Sequence, residues 1–91
     1  MKLKFFATYR DFTRCKEADV TAPPDVWALL QHLKGQYGDA FGDKLLTSDG
    51  TDIGCETIIL INGRNAGHLN GKDTPLSEAD VVSIFPVVAG G

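Results

Sequence analysis

A chain of 91 residues has room for one compact core and too little for two; with 43% hydrophobic and 23% charged residues, ten Gly and four Pro, its composition excludes disordered and fibrous classes. Nine Lys and Arg against twelve Asp and Glu give a net charge of -3 without a basic block, which argues against nucleic acid or an anionic membrane as partner and faintly favours a basic one. The start, Met1-Lys2-Leu3-Lys4-Phe5-Phe6, lacks a signal-peptide run, no stretch of about eighteen apolar residues follows, and Cys15 and Cys55 form no CxxC pair, so a soluble, cytoplasmic domain with free thiols is expected.

Residues 2–9 alternate, with Leu3, Phe5, Ala7 and Tyr9 on one face and Lys2, Lys4, Phe6 and Thr8 on the other, which predicts a strand. Residues 10–15 are polar and turn-like. Residues 17–22 alternate again, placing Ala18, Val20 and Ala22 opposite Glu17, Asp19 and Thr21, so the two runs read as a hairpin. At Pro23-Pro24-Asp25 the period changes. Pro24 suits a first helical position, Asp25 complements the positive end of the dipole, and Val26, Leu29, Leu30, Leu33 and Tyr37 recur at helical spacing, predicting one amphipathic helix that ends near Gly38. Gly35 within it should cost about 1 kcal/mol relative to Ala.

Residues 39–56, rich in Gly, Asp, Ser and Thr, read as irregular, with Phe41, Leu45 and Leu46 able to tuck against the core. The β-branched and aliphatic run at 57–61 predicts a strand covered on at least one face, Asn62-Gly63 a tight turn, and residues 66–69 a short return strand. After a Pro-punctuated segment at 74–80, residues 81–85 predict a last strand, with Val82 and Ile84 facing the core and Val81, Ser83 and Phe85 facing away. One helix for about five strands is most simply buried across one face of a mixed sheet. Bringing the first and last strands together in its middle gives an α+β, β-grasp (ubiquitin-like) fold, a single domain over 1–91 with 86–91 as a projecting tail.

That tail is Pro86-Val87-Val88-Ala89-Gly90-Gly91. Pro86 has no N–H to donate, so regular pairing should stop about there. Glycine lacks a Cβ, so a Gly-Gly end can thread a narrow channel into another protein's active site, although a frayed end of small residues would look the same. A carboxylate is a poor acyl donor, and a reactive Gly91 therefore requires external activation, such as conversion to an acyl adenylate that a sulfur, amine or thiol nucleophile can attack. No Gly-rich phosphate loop occurs in the chain, which puts the ATP site on a partner.

The stretches Ile61-Asn62-Gly63-Arg64, Leu69-Asn70-Gly71-Lys72-Asp73-Thr74-Pro75-Leu76 and Asp80-Val81-Val82-Ser83-Ile84-Phe85-Pro86-Val87-Val88-Ala89-Gly90-Gly91 resemble the MoaD/ThiS sulfur-carrier family, and its MoaD branch most. Val87 stands where that family commonly has a second Pro. The resemblance implies no bound cofactor. It implies a thiocarboxylate on Gly91, formed with the ATP of an adenylating, ubiquitin-activating-type enzyme, and sulfur donation to a pterin precursor within a heterotetramer containing the large molybdopterin synthase subunit. Phe6 and Phe85 on the outer face, together with Pro86, Val87, Val88, Ala89 and Gly90, are the expected partner-binding residues, unless the 39–56 segment covers the aromatics.

Other acceptors stay open: a thiazole precursor, a pterin destined for tungsten, or protein lysines if the chain is a ubiquitin-like modifier. A β-grasp interaction module with incidental glycines is the reading from another class. His32 and His68 have no catalytic company and read as surface residues; Asp49, Asp52 and Glu56 lack the calcium-loop pattern; Trp27 should pack at the helix edge.

Overall fold

The computed structural model describes residues 1–87. In chain order these form β1 (Lys2–Phe5), α1 (Tyr9–Thr13), β2 (Glu17–Asp19), α2 (Val26–Tyr37), α3 (Asp39–Leu45), β3 (Thr57–Ile61), β4 (Arg64–Asn65) and β5 (Val81–Pro86), with 3-10 turns at Ala66–His68 and Gly71–Asp73 before β5. The strands make one sheet in the order β2-β1-β5-β3-β4. β5 lies parallel to β1, with Leu3 beside Val82 and Phe5 beside Ile84, and antiparallel to β3, with Ile59 opposite Ile84. The outer pairs are antiparallel. First and last strands therefore meet in the middle of a mixed sheet that α2 covers on one face, the β-grasp architecture.

Alternation decides which residues α2 meets. Leu3 and Phe5 of β1, Val82 and Ile84 of β5 and Ile59 and Ile61 of β3 are buried in one cluster with Val26, Leu29, Leu30 and Leu33 of α2. Each such side chain contributes roughly 1.5–3 kcal/mol through burial. The helix begins two residues later than Pro24 would suggest. Asp25 is its N-cap, extended in backbone, and its carboxylate accepts the Ala28 N–H at 2.8 Å, so Pro24 lies outside. Gly38, at φ 101°, ends it.

Other sequence expectations change as well, and β2 ends at Asp19 instead of running to Ala22. The first strand stops at Phe5, because Ala7 takes φ 54° and breaks the alternation; Ala7 is exposed, while Tyr9 is buried from a helical turn instead of a strand. Tyr9, Phe12 and Thr13, spaced i, i+3 and i+4, turn one side of α1 inward, and Arg14 at φ 58° closes the turn, its N–H on the Arg10 carbonyl at 2.7 Å. The polar look of residues 10–15 concealed that spacing.

Residues 39–45 are helical, not irregular, because Phe41 and Leu45 project together into the core. The Phe41 ring stacks on Phe12 at 5.2 Å and meets Tyr9, Tyr37 and Phe5 edge-on at 5.3, 6.0 and 6.3 Å. The return strand is Arg64–Asn65 and not 66–69. Asn62 and Gly63, at φ 53° and 85°, form a two-residue turn that pairs Ile61 with Arg64, after which the Asn65 side chain accepts the Gly67 N–H at 2.8 Å and winds the chain into a 3-10 turn. No helix among the described residues is long and apolar enough to cross a membrane.

Glu78 ties the chain's start to the far side of β2. Its carboxylate accepts the Ala22 N–H at 2.7 Å and lies 3.2 Å from the Met1 ammonium, and these two contacts, in that order, hold its carboxyl below the ordinary 4.5. Asp80, bonded to Asn62 Nδ2 and the Ser77 N–H, is likewise lowered from 3.8. A carboxyl whose folded value lies below its unfolded value adds stability that is complete above the unfolded value and fades as pH falls through the folded one. Denaturation midpoints should therefore drop below the ordinary carboxylate range, and Glu78→Gln should flatten that acid limb while leaving the neutral-pH enzyme-independent fold intact by circular dichroism. Two core tests have opposite signs. Phe41→Ala should cost about 3–5 kcal/mol in urea denaturation. Gly35→Ala should stabilise by up to about 1 kcal/mol, since Gly35 is helical and a Cβ there meets nothing within 4 Å.

Candidate functional site

The site is built where β5 leaves the sheet. The Phe6 N–H donates to the Ile84 carbonyl at 3.2 Å, so Ile84 addresses β1; by alternation the Pro86 nitrogen faces the same side, past the end of β1. A missing donor there leaves no ladder bond unmade, which explains a proline in a central strand. On the β3 side pairing runs one step further: Pro86 sits opposite Thr57, and the Val87 N–H donates to the Glu56 carbonyl at 2.8 Å. Val87 is exposed beyond it. Of the expected tail residues, Val88, Ala89, Gly90 and Gly91 lie outside the described residues.

Two walls flank this exit. On the sheet face away from α2, the Phe6 and Phe85 rings meet edge-on, centres 5.8 Å apart, as their positions in the alternation required. With Ala7, Leu60, Ser83 and Pro86 they line an open hollow of about 330 Å³ whose walls are almost wholly apolar. Phe6 remains 36% exposed. The 39–56 segment does not cover them: its Phe41, Leu45 and Leu46 pack into the core on the helix side.

The other wall is polar and internally satisfied. Thr57 Oγ1 donates to the Lys44 carbonyl at 2.7 Å and so accepts from the Tyr9 hydroxyl at 2.6 Å. Burial pushes the Tyr9 phenol up, the Thr57 bond opposes that rise, and the nearby Glu56 charge adds to it. Tyr9 therefore stays protonated and pins α1 to the root of β3 across from Val87. Cys55 is exposed beside Glu56, Cys15 is half-buried, and both are free thiols. Groups of His, Cys, Asp and Glu able to hold a metal ion are absent among the described residues.

Sequence reasoning thus placed Phe6, Phe85, Pro86 and Val87 around one exit. It missed Leu60, legible in hindsight from the alternation of β3, and Tyr9 with Thr57, whose approach depends on the unforeseen α1.

The profile of the ThiS family matches residues 3–91. The chain belongs to the ThiS family. It is 37% identical over 93 aligned residues to small archaeal modifier protein 3 of Haloferax volcanii, covering 100% of this chain and 98% of that protein. A candidate sulfur carrier protein of Archaeoglobus fulgidus is 41% identical over 64 residues, 70% of this chain and 67% of that one. Among solved structures, a candidate molybdopterin converting factor, subunit 1, from Pyrococcus furiosus superposes with a TM-score of 0.74 at 26% identity, over 96% of this chain and 95% of that one. The ThiS-family match reaches through the exit and includes the last residue. This protein is accordingly a ubiquitin-like member of a group of sulfur carriers and protein modifiers, and its β5 exit is the candidate functional site.

Tyr9→Phe tests the polar wall. Removing the hydroxyl takes one hydrogen bond from a buried pair, so stability should fall by about 1 kcal/mol in chemical denaturation with the aromatic packing retained in near-UV circular dichroism.

Proposed function

We propose that this chain is a sulfur carrier whose Gly91 carboxylate is adenylated by a partner enzyme, converted to a thiocarboxylate, and used to supply sulfur to a pterin precursor of the molybdenum or tungsten cofactor. The observation that carries this reading is the exit of β5 between an exposed apolar hollow and a hydrogen-bonded wall, on a ThiS-family chain whose last two residues are glycines.

The chemistry divides between proteins. Attack of the Gly91 carboxylate on the α-phosphorus of ATP releases pyrophosphate and gives an acyl adenylate. Persulfide sulfur then attacks the carbonyl and expels AMP, and a thiol cleaves the resulting S–S bond, leaving the thiocarboxylate and a disulfide. This chain contributes the acyl group, the slim approach to it, and the surface that docks. Phe6, Phe85, Leu60 and Pro86 supply the apolar anchor, and Val87 to Gly91 bridge from that anchor to the partner's reacting atoms. The activating enzyme and a large synthase subunit holding the pterin are the partners this requires, and the compartment is the cytoplasm, where such thiols stay reduced.

A second reading has its own support: whole-length identity of 37% to a small archaeal modifier protein favours transfer of the same activated Gly91 to lysine amines. The first step is shared, and the acceptor separates the two.

Intact-mass measurement decides. Protein produced with its activating enzyme and a persulfide source should end at Gly91 and gain the difference between one sulfur and one oxygen atom, and should yield pterin product with a synthase large subunit. Conjugates that survive reducing agent on a gel, without thiocarboxylate, would support the modifier instead. One residue appended after Gly91 should abolish either activity; retained function would rule out both and leave a binding module.

A further inference from the structure

Arg10 is held against the docking face with most of its donors unspent. Its Nε donates to the Phe5 carbonyl at 2.8 Å and its guanidinium carbon lies 5.5 Å from the centre of the Phe6 ring, so the planar group rests on the aromatic wall of the hollow. A guanidinium has five N–H donors in a fixed fork. Beyond Nε, no hydrogen bond or ion pair among the described residues takes the others; the ion pairs there join Met1 to Glu78 and Lys2 to Glu17. On the same strand face Lys2 and Lys4 stand opposite Asp19 and Glu17, with Lys2 3.8 Å from Glu17, and Asp11 lies on α1; these strand charges offset one another and leave Arg10 as the unpaired cation of this face among the described residues.

The net charge of -3 suggested a basic partner, yet the cation that rests on the aromatic wall of the hollow, Arg10, has no acid paired with it among the described residues. An arginine already oriented by a carbonyl and a ring loses little freedom on binding, and its fork matches a carboxylate in two parallel bonds. The hollow beside it is lined by Ala7, Leu60, Phe85 and Pro86, with the Ser83 hydroxyl as the sole polar side chain, so it suits an aliphatic or aromatic side chain. A protein surface offers both features a residue or two apart.

We propose that Arg10 is the specificity-determining residue of the docking face: it takes an Asp or Glu carboxylate of the activating enzyme, next to an apolar side chain of that enzyme that fills the hollow between Phe6, Leu60 and Phe85. This rests on the carrier reading, which supplies the enzyme. Arg10 acts on encounter and docking and not on the acyl chemistry, so its removal changes affinity for the carrier and leaves turnover alone.

The test is ATP–pyrophosphate exchange by the ubiquitin-activating-type enzyme of the same organism, with the full chain as substrate. Arg10→Gln should raise KM for the carrier roughly tenfold or more at low salt with kcat within about twofold, and the gap should narrow as salt is added. Arg10→Lys, which keeps the charge but not the fork, should recover part of the loss. Thermal melts establish that each variant is folded, and if Arg10→Gln is not, the salt dependence of Arg10→Lys carries the comparison. An unchanged KM in the folded variant overturns the proposal, as does a loss confined to kcat. Wild-type protein that supports no exchange would instead overturn the carrier reading and remove the partner invoked here.

Discussion

Parallel pairing of the first strand with the last governs the rest of this molecule. With Lys2 beside Val81 and Phe5 beside Ile84, the residues that follow each strand must emerge at the same edge of the sheet, so the turn after β1 and the exit of β5 cannot be separated. The pairing is held by burial on one side only: Leu3, Phe5, Val82 and Ile84 face α2, and the same alternation turns Phe6, Ser83 and Phe85 outward. An exposed apolar face beside the exit of β5 is thus a geometric consequence of the core and needs no separate device. A register slip of one residue between β1 and β5 would bury the outward set and expose the core set, which the sixteen buried hydrophobic side chains of the cluster forbid.

The two ends of α2 show how the core fixes local structure around this edge. Asp25 caps its start and Gly38 releases its end into α3, whose Phe41 reaches Phe5, Tyr9 and Phe12 at once. Through that ring the helix layer is coupled to α1, and through Tyr9 and Thr57 α1 is coupled to the root of β3, opposite Val87. Rigidity is therefore delivered to the last paired residue by a chain of packed rings and one hydroxyl pair. The apolar surface left over lies on the opposite face, where rigid aromatics present contact area at little entropic cost on binding.

Where periodicity was long enough to compete with noise, the sequence was legible. The five residues of β3, the alternation of β5 and the recurrence of Val26, Leu29, Leu30, Leu33 and Tyr37 each carry a period that burial then enforces, and the Asn62-Gly63 turn follows from the ease with which those residues take positive φ. α1 and α3 were not legible, because five and seven residues hold barely one and two turns, and their stability comes from tertiary burial of Tyr9 and Phe41 in the absence of strong local propensity. Pairing of Phe6 with Phe85 was readable from strand alternation alone. Arg10 was not, since in a linear reading it belongs to a polar turn, and only the α1 geometry lays it across Phe6. Net charge is silent here for a related reason: a sum over the chain discards where the charges stand.

A carrier faces two demands that pull on the same few residues. The group it delivers must sit on backbone slim enough to enter another protein's catalytic pocket, which excludes side chains near the end, yet side chains are what make recognition specific and strong. On the proposed carrier reading the sequence separates them by about five residues, the glycines following an apolar hollow lined by Phe85 and Pro86. On that reading, binding energy collected on the sheet face and not at the reacting carbonyl would let one body present its end to an activating enzyme and later to an acceptor, provided both offer an apolar anchor to the same hollow. The two encounters would then exclude one another, because both need the same hollow, and their order would be set by which chemical form of the end each partner's pocket accepts.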